Sequence, residues 1–437
     1  MLKIISAGIA KLDGNTREVL LKSSTSTLVK VVSMGLGFVL SVILGRILGP
    51  DGLGIINLSN QLVQLLLVLF LLGLPNVIIK EVAIARNNNL HQRVGRVMKS
   101  SYILAGVFSI ILTVPLILSA PWISINIFKN ELLTIPLTIA LAVILPQVFS
   151  RLFSAGLVGY RKIWQSNLVD QALSVLVTLI VLGVCWLSNI VIDVIIASIA
   201  YAVGVVVVTV CIGLYWNSLY KQSFNLEFVG GQLLKTALPM LLVTATGVIS
   251  STVDSVMLGV FSNVTAVGLY TVSAKVALIT GFFLQVTNSA VAPKIASLYA
   301  DGELVELRIM LKKVTQGLAF IAIFPLLIYI FFGGYILSLW GEEFREGYWV
   351  LIILSIGQFF NIATGSITSL LNMTGHEKIH GRICLGFLLL NILLNFVFIQ
   401  FYGVLGAAGS TGFVWIAENV TKVYVAQSRI GVSTRPF

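Results

Sequence analysis

Residues 41–54 read SVILGRILGPDGLG. A run apolar enough to cross a bilayer carries one arginine, Arg46, and then breaks at Gly49-Pro50. A proline here removes a backbone donor, and a glycine supplies a turn, so the stretch reads as the end of one membrane helix and the start of another. The composition agrees. Of 437 residues, 57% are hydrophobic and only 10% are charged, whereas a soluble domain carries about a quarter charged residues. No aqueous core hides so much apolar surface, so the bilayer is the solvent for most of the chain.

Twelve stretches reach the ~20 residues that a membrane helix needs. They lie at about 27–48, 55–79, 98–118, 133–158, 165–188, 191–216, 233–260, 266–290, 309–332, 347–372, 381–400 and 405–427. All are expected to be helices, because backbone in lipid must satisfy its own hydrogen bonds. The fold class is therefore an all-α polytopic membrane protein. The three cysteines, Cys185, Cys211 and Cys384, each fall inside an apolar run without paired spacing, which indicates neither a disulfide framework nor a metal cluster. The first 26 residues lack a cleavage site and read as a cytoplasmic, interfacial segment.

The formal charge of +11 is spread over short links rather than gathered on one face, which argues for membrane topology and against nucleic acid. Lys80, Arg86, Arg93, Arg96 and Lys99 crowd the second link, and Arg161, Lys162, Lys221, Lys235, Lys294, Arg308, Lys378 and Arg382 fall in later even-numbered ones. Odd-numbered links hold only Lys129 and Arg345 besides Arg46. Positive loops stay inside, so both termini are expected to face the cytoplasm.

The chain also repeats itself. LPNVIIKEVAIARNN (74–88) parallels NSAVAPKIASLYADG (288–302), so that Lys80 answers Lys294; VPLIL (114–118) parallels FPLLI (324–328), and GYRK (159–162) parallels GHEK (375–378). Two six-helix bundles are expected, at 27–220 and 233–437, joined by a cytoplasmic linker at 221–232. Six is even, so the repeats are parallel, an arrangement found in transporters whose site lies between the halves.

GRILGPDGLG after a first span, a basic second link and twelve spans in two halves together resemble the polysaccharide exporters, the lipid-linked oligosaccharide flippases of the multidrug/oligosaccharidyl-lipid/polysaccharide superfamily. The resemblance covers essentially the whole chain. It implies movement of an undecaprenyl-diphosphate-linked glycan from the inner to the outer leaflet of the cytoplasmic membrane. It also implies partners among membrane lipids and the polysaccharide polymerase machinery, with no cofactor.

Ionisable groups inside a membrane cost about 2.5–3.5 kcal/mol each and normally face a cavity or a partner. Lys275 lies near the middle of the eighth span, where its stem reaches neither interface, and is expected to line a cavity. Arg46 could cap carbonyls freed by the Gly49-Pro50 break or grip a diphosphate in bidentate fashion. Arg151 is the third deep cation. Asp254, in the corresponding outer third of the seventh span, is expected to pair with Arg46 when the outer side is shut, as a gate or coupling residue. Asn57, Asn60, Gln61 and Gln64 make a polar stripe on the second span, with Gln61 the repeat partner of Lys275; amides of this kind bind sugars or glue helices together. Asp170 and Glu418 are counter-charges, and Glu418 has Lys422 one turn away.

Net positive charge in the lumen suits an anionic cargo and disfavours the cationic-drug antiporters of the same superfamily. A non-transporting scaffold of a glycan assembly complex is the other alternative. His376-Glu377-Lys378-Ile379-His380 fits the H-E-x-x-H zinc-protease pattern. It follows Thr374-Gly375 in a short link, its repeat counterpart has no ligands, and no third ligand follows, so a metal is not expected.

Overall fold

The computed structural model describes residues 14–88, 90–220 and 227–432, without the side chains of 14–27, 170, 171 and 243. The expected interfacial segment at 1–26, half of the linker and the Asp170 counter-charge therefore lie wholly or in part outside the described residues. The described chain is helical throughout, and seven helices are long and apolar enough to cross a membrane. Two further spans arise when each bent pair, Glu131–Ala142 with Ile144–Gly159 (40°) and Val264–Ile279 with Gly281–Ala300 (42°), is taken as one. The protein is a multi-pass membrane protein.

Two of the longest helices are each a pair of helices joined end to end. Gly14–Leu71 turns at Gly49 (φ 65°, ψ −174°) and Glu377–Ile430 at Gly403 (φ 54°, ψ −128°). Positive φ is open to glycine, and Pro50 then starts the next helix where its missing N–H costs nothing. Several expected boundaries move. The second span, expected at 55–79, is a limb that starts at Pro50 and ends at Leu71; Leu72 (φ 51°) and Gly73 break the chain before Leu74–Asn87. The eighth, expected at 266–290, bends after Ile279 and continues to Ala300.

The chain forms two compact units, one of residues 1–43, 63–121 and 134–245, the other of 44–62, 122–133 and 246–437. These divisions cut the chain differently from the sequence halves, because residues 44–62 and 122–133 group with the second unit.

In the first unit, Leu74–Asn87 packs on Ile144–Gly159. The fully buried Trp216 meets Tyr160 edge-on, with centroids 5.4 Å apart, and Tyr102, Phe149 and Phe153 stack nearby. Arg93 is paired with Glu81 at 2.5 Å, and the Arg86 guanidinium lies 5.6 Å over the Tyr160 ring.

In the second unit, Tyr348–Ala363 packs against Leu304–Leu337 and Glu377–Ile430. An apolar core of Ile295, Leu298, Leu307, Leu311, Leu370 and Ala426 closes the end that carries the basic loops. Each aliphatic side chain of that kind contributes about 1.5–3 kcal/mol where the reference is water. Within lipid it contributes mainly close packing. Lys80 and Lys235 of the first unit and Lys294 of the second are exposed.

Candidate functional site

The opposite, loop-poor end of the second unit is held by a reciprocal helix crossing. A Cβ on Gly54 would run into the Val264 carbonyl, and a Cβ on Gly268 would run into the Pro50 carbonyl. The Thr265 hydroxyl donates to Asp51 Oδ1, across 214 positions of sequence. Pro50 and Val264, and Gly54 and Gly268, share that same separation. Residue i touches the repeat mate of its neighbour and the mate returns the contact, which is the signature of a two-fold axis. Glycine is required at both places because backbone meets backbone there.

Arg46 belongs to this closure. Its Nε donates to the Leu339 carbonyl at 2.7 Å, beside the buried Trp340 that packs on Gly45. The expected Arg46–Asp254 pair is not formed. Arg46 is spent on a carbonyl at the end of another helix, and Asp254 has turned to neutral donors.

From the crossing, seven further residues carry each helix about two turns and ~10 Å toward the basic end, within about 20° of the same face. Those residues are Gln61 and Lys275, so each lies on the face of its helix that makes the crossing, two turns further along. No hydrogen bond or ion pair reaches Lys275 among the described residues, and the buried Gln61 Oε1 has no partner. Asn57 and Asn60 are half-buried on the same limb. An unpartnered ammonium and an unpartnered carbonyl oxygen are each costly in a membrane.

Asp254 sits in the most elaborate polar cluster of the second unit. The Tyr270 hydroxyl donates to Oδ2 at 2.5 Å, Thr411 Oγ1 to the same oxygen at 2.7 Å, and Asn395 Nδ2 to Oδ1 at 2.6 Å. Behind them Asn391 donates to Thr411 at 3.1 Å and accepts from Asn395 at 3.1 Å. No cationic side chain pairs with Asp254 among the described residues, and Asn395 Oδ1 is left buried without a donor. Hydroxyl and amide donors hold an ionised carboxylate in low dielectric at a cost of several kcal/mol. A single carboxylate ringed by hydroxyls and side-chain amides suits a proton or a small hard monovalent cation. Asn391, Asn395, Thr411 and Tyr270 were not singled out from the sequence. Two asparagines four apart inside an apolar span were the available signal.

Arg151 lies in the first unit, in a cavity of about 60 Å³ that Gln64, Gln147, Ser150, Ser174 and Tyr201 also line. Gln64 thus lines the Arg151 cavity. In the second unit, near the basic end, Lys422 Nζ is 2.5 Å from Glu418 Oε1, both partners largely buried, which is the expected one-turn pair. The histidines of the H-E-x-x-H stretch do not converge. His376 Nδ1 is 3.0 Å from Thr374 Oγ1, and the His380 ring turns to Cys384 at 3.6 Å. Among the described residues no group of three or more His, Cys, Asp or Glu could hold a metal ion.

Comparison with known proteins bears on both fold and family. The sequence profile described as "Polysaccharide biosynthesis protein" matches residues 19–299, and that described as MatE matches residues 239–397. The chain is 28% identical over 176 residues to the capsular polysaccharide biosynthesis protein CapF of Staphylococcus aureus, covering 39% of this chain and 43% of that protein. It is 26% identical to the probable low-salt glycan biosynthesis flippase Agl15 of Haloferax volcanii, covering 43% of this chain and 40% of that one. These two matches thus span under half of either relative. A putative O-antigen transporter of Shigella flexneri is 24% identical over 87% of this chain and 90% of its own length. Among solved structures, an inward-facing multidrug resistance MATE family transporter of the MOP superfamily superposes with a TM-score of 0.75 at 12% identity, over 93% of this chain and 98% of that one. Lipid II flippase MurJ in its inward closed conformation gives 0.74 at 16%, over 92% and 87%. The fold is shared with both.

Proposed function

Because the chain belongs to the polysaccharide biosynthesis protein family, we propose that it flips a polyprenyl-diphosphate-linked oligosaccharide across the cytoplasmic membrane by alternating access. Both termini would lie in the cytoplasm, as the basic links indicate. The cargo would then be handed to polysaccharide polymerase machinery outside. The observation that carries this reading is Lys275, a membrane-embedded cation with no protein partner among the described residues, two turns along its helix from the crossing at Gly268. A diphosphate supplies the missing counter-charge. Arg151 serves an anionic group of the same cargo from its own cavity in the first unit, and Arg46 helps to close the outer end.

Asp254 is the coupling residue of this scheme. A proton or monovalent cation arriving there neutralises a buried carboxylate, so its binding free energy biases whichever state holds the cluster together. A ligand shifts such an equilibrium only through its differential affinity for the two states.

The multidrug antiporter reading draws on the MatE match over residues 239–397. That chemistry wants a carboxylate turned to a cationic cargo, whereas all three hydrogen bonds to Asp254 come from its own unit. The test is reconstitution into vesicles with a fluorescent polyprenyl-diphosphate glycan, scoring its appearance in the opposite leaflet. Loss of flipping in Lys275→Met supports the proposal; export of a cationic dye that survives Lys275→Met overturns it.

A further inference from the structure

We infer that Gln61 is a specificity-determining residue that accepts a hydrogen bond from the sugar next to the diphosphate; this rests on the flippase reading above. The outer crossing is symmetric down to individual contacts, with Pro50, Asp51 and Gly54 mirrored by Val264, Thr265 and Gly268. Two turns further in, the symmetry fails. One repeat presents an ammonium with three donors and no acceptor, and the other presents an amide whose carbonyl oxygen is buried and unpartnered.

The two positions ask for opposite things from one ligand. Lys275 needs an anion, and Gln61 Oε1 needs an N–H or O–H. Lys275 could supply that donor but does not reach Gln61. In a polyprenyl-diphosphate glycan the anion is flanked on one side by hydrocarbon, which has no donor, and on the other by a sugar rich in hydroxyl and amide N–H groups. A cargo placing its diphosphate on Lys275 therefore has only its first sugar to offer Gln61. The geometry also orients the cargo, because the axis that would otherwise allow two equivalent poses is broken where one copy has an amide and the other an ammonium. A buried acceptor rejects a ligand that lacks its donor, because the lost bond leaves that oxygen desolvated and unpaired.

The test measures binding of two probes to purified protein in lipid nanodiscs, bare undecaprenyl diphosphate and undecaprenyl-diphosphate N-acetylglucosamine. Wild type should prefer the sugar-bearing probe by about three- to tenfold, the scale of one hydrogen bond to a buried acceptor. Gln61→Met, matched in volume, should erase that preference while leaving the affinity for bare undecaprenyl diphosphate unchanged. Lys275→Met should weaken both probes alike. Equal binding of the two probes by wild type, or an equal effect of Gln61→Met on both, overturns the inference, the latter showing that the amide only shapes the helix pair. Melting curves with each probe in excess separate misfolding from lost recognition. Should wild type bind neither probe, the flippase reading itself fails.

Discussion

The second unit contains two lysines within its spans, the buried Lys422 and the half-buried Lys275, whose replacement by methionine should have opposite effects on stability. Lys422 is 7% exposed and bonded at 2.5 Å to Glu418, itself 19% exposed. Lys422→Met strands that carboxylate in low dielectric, and breaking a buried pair in this way costs about 3–5 kcal/mol. Lys275 has no partner to strand. A lysine at the centre of a span carries an insertion penalty of about 2.5–3.5 kcal/mol, and methionine keeps its stem while removing the ammonium. Lys275→Met should therefore stabilise the protein, by an amount reduced from that figure to the extent that water reaches Nζ. The same substitution should abolish flipping of the anionic glycan. Denaturant or thermal unfolding in one detergent, run on both variants alongside wild type, reads the two signs directly. A fall in midpoint for Lys275→Met comparable to that for Lys422→Met would refute the reasoning, since Lys275 would then be a structural cation.

Asp254→Asn keeps the side-chain shape but turns one acceptor oxygen into a donor that faces Asn395 or the Tyr270–Thr411 pair. It should cost about 1–3 kcal/mol and remove the response of flipping rate to pH or sodium in reconstituted vesicles. Gly268→Leu has no room against the Pro50 carbonyl. It should abolish the disulfide that otherwise forms in Asp51→Cys/Thr265→Cys protein, while that double variant alone cross-links readily. Arg46→Ala removes one exposed hydrogen bond to a neutral carbonyl and should shift stability by about 1 kcal/mol or less. Its effect on glycan binding should be far smaller than that of Lys275→Met.

Much of the architecture is written in the chain, and the reasons are physical. Lipid forces helices, and loop charge follows the insertion rule, so apolar runs and the alternation of basic links can be read directly. The spacing that relates Lys80 to Lys294 and Gln61 to Lys275 in the sequence also pairs Gly54 with Gly268, where the helices cross. The breaks were less legible. Leu72 adopts its positive φ inside LLGLP, an apolar run whose hydropathy masks the Gly73 and Pro75 punctuation. Arg46 shows the limit of one-dimensional reading. Its need for a partner was evident, but the partner is a backbone carbonyl 293 positions away, which has no residue-type signal. The partners of Asp254 were hidden for a related reason, because asparagine, threonine and tyrosine carry no charge to mark them as answering a carboxylate.

The two copies within this chain both carry glycine at 54 and 268 but differ at 61 and 275. Where the helices cross, each copy must accept the other's backbone, so a substitution in one is a collision for both, and the ancestral pair of glycines is locked in place. Two turns deeper no such mutual veto operates, and the copies were free to become a cation in one and an amide in the other. The likeness between the copies is thus held where one backbone bears on the other and given up where, on the proposal above, a guest with a head and a tail is received.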